Sequence, residues 1–128
     1  VTAAEKGVEV LLFRVGGVRM GVEASQVERM FEADSVECVR FDEIVDFGGR
    51  PVEYGAPRAL AIRDEGARPA VVVDEPEDFV RVPLAEIRPL PEAVRGRDRT
   101  RAFWGAFLRD GEVVLLVDFY KIFSRDAA

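Results

Sequence analysis

A mainly β fold built from small antiparallel barrels is what this sequence predicts, and three observations carry the prediction. Turn sequences punctuate extended runs three times along the chain. The longest apolar runs, Val71–Val73 and Val113–Val117, are rich in β-branched residues. Helical periodicity is confined to one or two short stretches. A length of 128 residues suits one domain, or two small subdomains sharing a core.

The elements follow in order. Val1 to Gly7 has no apolar pattern and is expected to fray. Val8 to Val15 reads as a strand, Gly16-Gly17 as a two-residue turn needing positive φ, and Val18 to Val22 as the returning strand. Ala24 to Phe31 is expected to make two helical turns, with Ser25 as N-cap and Glu28 at capping-box spacing. Val27, Met30 and Phe31 would then share a face. Glu37 to Asp46 is ambiguous between a short helix and irregular chain. Ala59 to Arg63 and Pro69 to Asp74 flank a longer connection and make a second hairpin. Val71–Val73 and Val113–Val117 read as strands buried on both faces. Phe79 to Val82 alternates, with Phe79, Arg81 and Pro83 on one face and Val80, Val82 and Leu84 on the other. Pro89 to Thr100 reads as a surface loop. Phe103 to Leu108 and Glu112 to Phe119 flank Asp110-Gly111, the third hairpin. Asp118 to Phe123 closes the fold in a helical turn that packs Phe119, Ile122 and Phe123 inward.

Composition narrows the function. With 24 acidic against 18 basic residues the net charge is −6, which repels a phosphate backbone. The longest apolar run has five residues, far short of the ~20 needed to cross a bilayer as a helix, and no signal-peptide pattern opens the chain. The lone Cys38 has no partner for an internal disulfide or a zinc site, which points to a reducing cytoplasm. The chain contains no His, so Ser–His–Asp and Cys–His machinery and imidazole-based zinc sites are excluded. Any enzyme would rest on carboxylates, Lys or Tyr.

Several residues invite a functional reading and also have a plainer one. Met30 and Phe31 can line a groove, but closing the first barrel's core is the expectation. Phe47, Tyr54 and Leu60 can form an apolar patch, although aromatics in barrel strands are mostly core. Trp104 is the sole Trp, a residue enriched at interfaces, yet at a strand start it is expected to pack the barrel. Arg95, Arg97, Arg99 and Arg101 read as a solvated loop before they read as an anion clamp. The acidic groups Asp42, Glu43 and Asp46, and Asp74, Glu75, Glu77 and Asp78, lack the spacing of a calcium loop; no metal and no cofactor is assigned. Asp74 reads as a strand-end turn former.

Taken in order, these segments resemble the CheW-like domain family of bacterial chemotaxis coupling proteins. Leu11-Leu12-Phe13-Arg14-Val15-Gly16-Gly17, then Met20-Gly21-Val22 and Val27-Glu28, look like the family's opening. Val71-Val72-Val73-Asp74, Val80-Arg81-Val82-Pro83-Leu84 and Ile87-Arg88-Pro89-Leu90-Pro91 resemble its centre. Trp104-Gly105-Ala106, Val114-Leu115-Leu116-Val117-Asp118 and Lys121-Ile122-Phe123 resemble its ending. The resemblance implies one domain over residues 8–128. Two five-stranded SH3-like barrels would pack side by side, with the changeover near 56–62 and one or two short helices. It implies no catalytic residues. The implied role is an adaptor that binds chemoreceptor tips, the regulatory domain of a histidine kinase, or only one of these, in the cytoplasm and recruited to membrane-associated receptor arrays.

By the same resemblance Val27, Glu28, Arg29, Phe47, Gly48, Gly49 and Tyr54 are the candidate partner-binding residues, with Val27 the better groove candidate. The chain also departs from the family pattern. Gly48 stands where an Arg is usual, and Gly cannot replace a planar five-donor group. Arg29 stands where Glu is frequent, reversing a charge. These departures point to a selective member. Because the chain opens on Val1 rather than Met, an accessory interaction domain of a larger protein that localises or regulates chemosensory arrays is the second expectation. A carboxylate-dependent enzyme using Asp74 or Asp118 is the remote third.

Overall fold

The protein's structure is a computed structural model that describes residues 6–34, 37–63, 70–95 and 102–124. In chain order the strands are β1 (Gly7–Val15), β2 (Val18–Glu23), β3 (Val27–Glu32), β4 (Cys38–Arg40), β5 (Pro57–Ile62), β6 (Ala70–Asp74), β7 (Phe79–Pro83), β8 (Phe103–Arg109) and β9 (Glu112–Val117). Three short helices accompany them: α1 (Phe41–Ile44), α2 (Glu92–Arg95) and α3 (Phe119–Ser124). Ala24–Gln26 and Leu84–Glu86 form single 3-10 turns. The mainly β expectation holds.

All nine strands among the described residues belong to one hydrogen-bonded system. Its main path runs β3-β5-β6-β1-β2-β9-β8, with β4 added in parallel to β6 and β7 added to β1. β1 ties the two ends together. Its C-terminal end touches β6 at Arg14–Asp74, while its N-terminal part pairs with β7 from Gly7 to Leu11. The first and third hairpins form as turn chemistry predicts, and residues 64–69 of the second lie outside the described residues. Gly16 and Gly17 have φ of 60° and 79°, and Asp110 and Gly111 have 53° and 78°. β5 and β6 pair antiparallel.

Side-chain alternation divides the interior into two cores. On β1, Leu11, Phe13 and Val15 enter the larger core, and Val10 and Leu12 enter the smaller one. β9 repeats the division, with Val117 facing the larger core and Val114 and Leu116 the smaller. A strand that serves a core on each face has no polar side to show, which is why β1 reads as a nearly unbroken apolar run. β2 faces the larger core with Met20 and Val22, while Gly21 lies on the other side. A Cβ on Gly21 would run into Val10 Cγ1, so only a bare Cα leaves room for Val10 in the smaller core.

Four expectations need correction. Ala24 to Phe31 is not a helix: one 3-10 turn leads into β3, which pairs with β5 from Val27–Ile62 to Glu32–Arg58. Neither cap is used, and the ladder to β5 overrides a weak local helical pattern. Pro89 to Thr100 is not all loop, because Glu92–Arg95 makes a helical turn; residues 96–100 lie outside the described residues. Val113 is 51% exposed and Leu115 half-buried, so only Val114, Leu116 and Val117 of the Val113–Val117 run are buried. Leu84 leaves the β7 alternation for an exposed 3-10 turn. The ambiguous 37–46 stretch becomes β4 followed by α1. The closing helix forms as expected, with Phe119, Ile122 and Phe123 buried.

Candidate functional site

The predicted partner-binding residues fall in two places that border the same core. Val27, Glu28 and Arg29 open β3, the terminal strand of the main path. Ladder register slips between Val27 and Arg29, which makes Glu28 the extra residue of a bulge. Val27 is buried in the larger core, so it is not the groove residue expected of it. Met30 is the exposed one and Phe31 is half-buried, with the Arg29 guanidinium 5.0 Å from the Phe31 ring centre. The expected order of burial is reversed because the chain is a strand here. A strand turns successive side chains to opposite faces, whereas a helix would have grouped Val27, Met30 and Phe31.

Phe47, Gly48, Gly49 and Tyr54 lie between α1 and β5. Phe47 is half-buried, 6.1 Å from the Phe41 ring centre, and its ring lies over the β1–β2 turn, where a Cβ on Gly16 would approach it to 3.1 Å. Leu60 is fully buried. Gly48 and Gly49 are exposed with φ of 73° and 76°, and the Asp46 carboxylate accepts the Gly48 N–H at 2.8 Å. A side chain at Gly48 would meet nothing within 4 Å, but the left-handed backbone costs any L-residue roughly 1–2 kcal/mol. The missing Arg is therefore part of the turn's geometry.

Tyr54 donates its hydroxyl to Asp42 at 2.7 Å, and Arg40 donates to the same carboxylate oxygen at 3.0 Å while stacking 4.6 Å from the Tyr54 ring centre. Burial first, then the bond to Asp42, pushes the Tyr54 phenol up to about 12. Burial alone would raise Asp42, but Tyr54 and Arg40 outweigh it and hold the carboxyl below its ordinary value. No hydrogen bond, ion pair or ring contact joins this group to Val27–Arg29 among the described residues.

A different surface offers the open apolar feature. The outer wall of the β8–β9 hairpin and the 85–91 segment enclose a groove of about 390 Å³, lined chiefly by Ala85, Pro89, Pro91, Phe107, Leu108 and Val113. Leu108 is 69% exposed and Val113 51%, a directly opposed pair that places two large apolar side chains together in water. The 85–91 segment is held in place by a bridge in which Arg88 and Ala106 exchange N–H···O bonds at 2.8 and 2.9 Å. Pockets for small ligands, roughly 300–1,000 Å³, combine apolar walls with convergent polar groups that set orientation. Among the described residues, Glu86 and Arg88 are the only charged side chains in the lining. Such a surface suits a polypeptide better than a small molecule. Trp104 is also exposed, against expectation: it is the extra residue where the β8–β9 register slips between Phe103 and Gly105.

Several carboxylates of the acidic clusters are taken up by the fold, while Glu43, Glu75 and Asp78 are exposed. Asp74 is buried and accepts the N–H groups of Gly55 and Ala56 at 3.0 and 2.6 Å, as a strand-end turn former would. Asp118 accepts from Gln26 Nε2 at 3.0 Å and from the Lys121 N–H at 3.2 Å. Gln26 in turn accepts the Phe119 N–H at 2.9 Å. Glu77 binds Arg19 and Asp46 binds its own turn. Among the described residues no group of three His, Cys, Asp or Glu side chains is placed to hold a metal ion, and no helix is long and apolar enough to cross a membrane. The side chains of Arg95, Arg97, Arg99 and Arg101 lie outside the described residues.

The groove residues Leu108 and Val113 were missing from the sequence-based site. Their signal is faint: an apolar side chain on each side of an Arg-Asp-Gly-Glu turn, where polar residues are the rule.

Comparison with known proteins agrees with this architecture. No curated protein sequence matches the chain. In fold it is similar to the crystal structure of the scaffolding protein TtCheW from Thermoanaerobacter tengcongensis. The TM-score is 0.74 at 12% identity, over 92% of this chain and 88% of that one. The family model described as the CheW-like domain matches residues 35–127, from β4 through α3. With that family model spanning most of the sequence, the chain belongs to the CheW-like domain family.

Proposed function

We propose that the protein is a non-catalytic adaptor of a bacterial chemosensory system, working in the cytoplasm at receptor arrays. It would bind the cytoplasmic tip of a chemoreceptor, the regulatory domain of a histidine kinase, or one of the two alone. The observation that carries the reading is the exposed apolar groove beside Leu108 and Val113 in a chain of the CheW-like family. An apolar patch with a charged rim draws affinity from the patch, and specificity and on-rate from the rim. Carboxylates that would serve an enzyme instead cap turns and neutralise arginines, which favours binding over chemistry.

Glu28 and Arg29 on the β3 edge, and the Gly48-Gly49 turn beside Phe47 and Tyr54, form a second candidate face; Val27 supports it from within the core. Because Gly48 sits in a left-handed turn, restoring the usual Arg requires rebuilding that turn. The second face therefore favours selectivity for one partner.

The test measures binding to a receptor-tip fragment and to a kinase regulatory domain in separate titrations, for the native protein and for Leu108→Asp. Loss of binding to one partner in the variant is the expected result. Undiminished binding to both would remove the groove from the interface, and equally tight native binding to both would end the case for selectivity.

A further inference from the structure

Two turns remote in sequence meet on one guanidinium. Arg19 on β2 is only 6% exposed. Its Nε and Nη2 donate to the two carboxylate oxygens of Glu77 at 3.2 and 2.9 Å. Its Nη1 donates to the Arg109 carbonyl and to Asp110 Oδ2, both at 3.3 Å, and lies 3.6 Å from Glu112 Oε1. Glu112 also accepts both Nη groups of Arg14, at 2.9 and 2.6 Å.

The register of β1 and β2 makes this cluster necessary. A two-residue turn at Gly16-Gly17 sets Arg14 directly opposite Arg19, and like charges so placed repel unless acids intervene. The pair lies on the same face as Val10 and Leu12, so the smaller core runs along β1 and ends at Arg14 and Arg19. At that end an ionic cluster, not an apolar side chain, closes the half.

The cluster also reaches the groove. Glu77 belongs to the turn before β7, whereas Arg109, Asp110 and Glu112 form the β8–β9 turn. Leu108 and Val113 are the residues on either side of that turn and form one wall of the groove. β8 ends the main path of the sheet, so among the described residues the turn's polar ties to the rest of the molecule come from Arg14 and Arg19.

We propose that Arg19 is the positioning residue of the groove: by joining the Glu77 turn to the β8–β9 turn it holds Leu108 and Val113 in the arrangement that a partner polypeptide meets. This rests on the reading of the groove as a docking face. Lys is a point charge on a flexible stem and cannot engage Glu77 in bidentate fashion while also reaching Asp110 and the Arg109 carbonyl.

The test combines Arg19→Lys, Leu108→Ala and the double variant, titrated with whichever receptor-tip fragment or kinase regulatory domain the native protein binds. Amide hydrogen exchange is followed in parallel. In Arg19→Lys, exchange at residues 109–112 rises about tenfold while β3 and β5 are unchanged, because local opening reports local ties. Affinity falls about tenfold in each single variant, and the double variant falls little further, because residues acting through one contact are not additive. A purely structural Arg19 would lower the melting temperature and leave the two affinity losses to multiply, which overturns the proposal. Faster exchange with unchanged affinity in Arg19→Lys also overturns it and leaves the groove reading standing. Unchanged affinity in Leu108→Ala defeats the groove reading itself. Should Arg19→Lys not fold, Asp110→Asn replaces it, since Asn suits the positive φ of that position. Its affinity loss of about threefold should then vanish in the Leu108→Ala background, as expected of coupled sites; persistence of the full loss would overturn the proposal.

Discussion

The two halves of the molecule are closed by opposite means. The larger core gathers Phe13, Phe41, Phe119 and Phe123, with Phe41 touching Phe13, Phe47 and Phe119 edge-on at 5.7, 6.1 and 6.1 Å. The smaller core is mainly aliphatic, with Phe107 as its one ring among the described residues, and it ends at the Arg14–Arg19 ion cluster. Large rings bury much apolar area and hold their neighbours in one arrangement. An ion cluster contributes less net free energy, because desolvation offsets attraction, but it sets geometry sharply. Stability is thus concentrated in the aromatic half, and the exposed apolar groove lies on the ionic one.

Phe41→Ala gives the largest expected effect. It removes a fully buried ring that three others meet, and costs about 3–5 kcal/mol; equilibrium denaturation measures it. A loss below that of a comparable change in the smaller core, such as Phe107→Ala, would contradict the division of labour. Next comes Gly21→Ala, whose methyl group is forced against Val10 and destabilises by about 1–3 kcal/mol. Adding Val10→Ala should recover part of that loss if the collision is direct, and a strictly additive double variant would show that it is not.

Gln26→Ala tests the link between the ends of the larger core. It removes the acceptor of the Phe119 N–H and the donor to Asp118, at a cost of about 1–3 kcal/mol, mostly from the buried N–H left unpaired. Hydrogen exchange at α3 should accelerate while the β8–β9 turn keeps its protection. The smallest effect is a pH dependence. The Tyr54 phenol ionises near 10 when unfolded and is pushed up to about 12 in the fold. A raised folded value contributes stability that is complete below pH 10 and is lost as pH climbs toward 12. Tyr54→Phe should flatten stability across that window, and an unchanged slope would show that Tyr54 is not its source.

Local chemistry made much of this fold legible in advance. Gly16-Gly17 and Asp110-Gly111 announce their hairpins because a positive φ is a property of a few residue types and does not depend on the rest of the chain. The Val71–Val73 run of β6 announces burial on two faces because no side chain in it wants water. Ala24 to Phe31 went the other way. The capping-box spacing is real, but β3 is decided by its ladder to β5 and by Gln26 reaching Asp118, 92 residues on.

The candidate site divides along the same line. Residues assigned by family pattern were placed in sequence but not in space, since Val27 faces inward and Met30 outward only once the segment is a strand. Even the pairing of Arg14 with Arg19 is implied by a two-residue turn. The acids that answer it, and the groove they shape, come from turns more than fifty residues away. Turn type and strand alternation are written residue by residue, because they depend on backbone sterics and side-chain polarity alone. Which distant carboxylate meets which arginine, and which apolar pair is left facing water, depends on how the strands close on one another, and only the folded chain settles that.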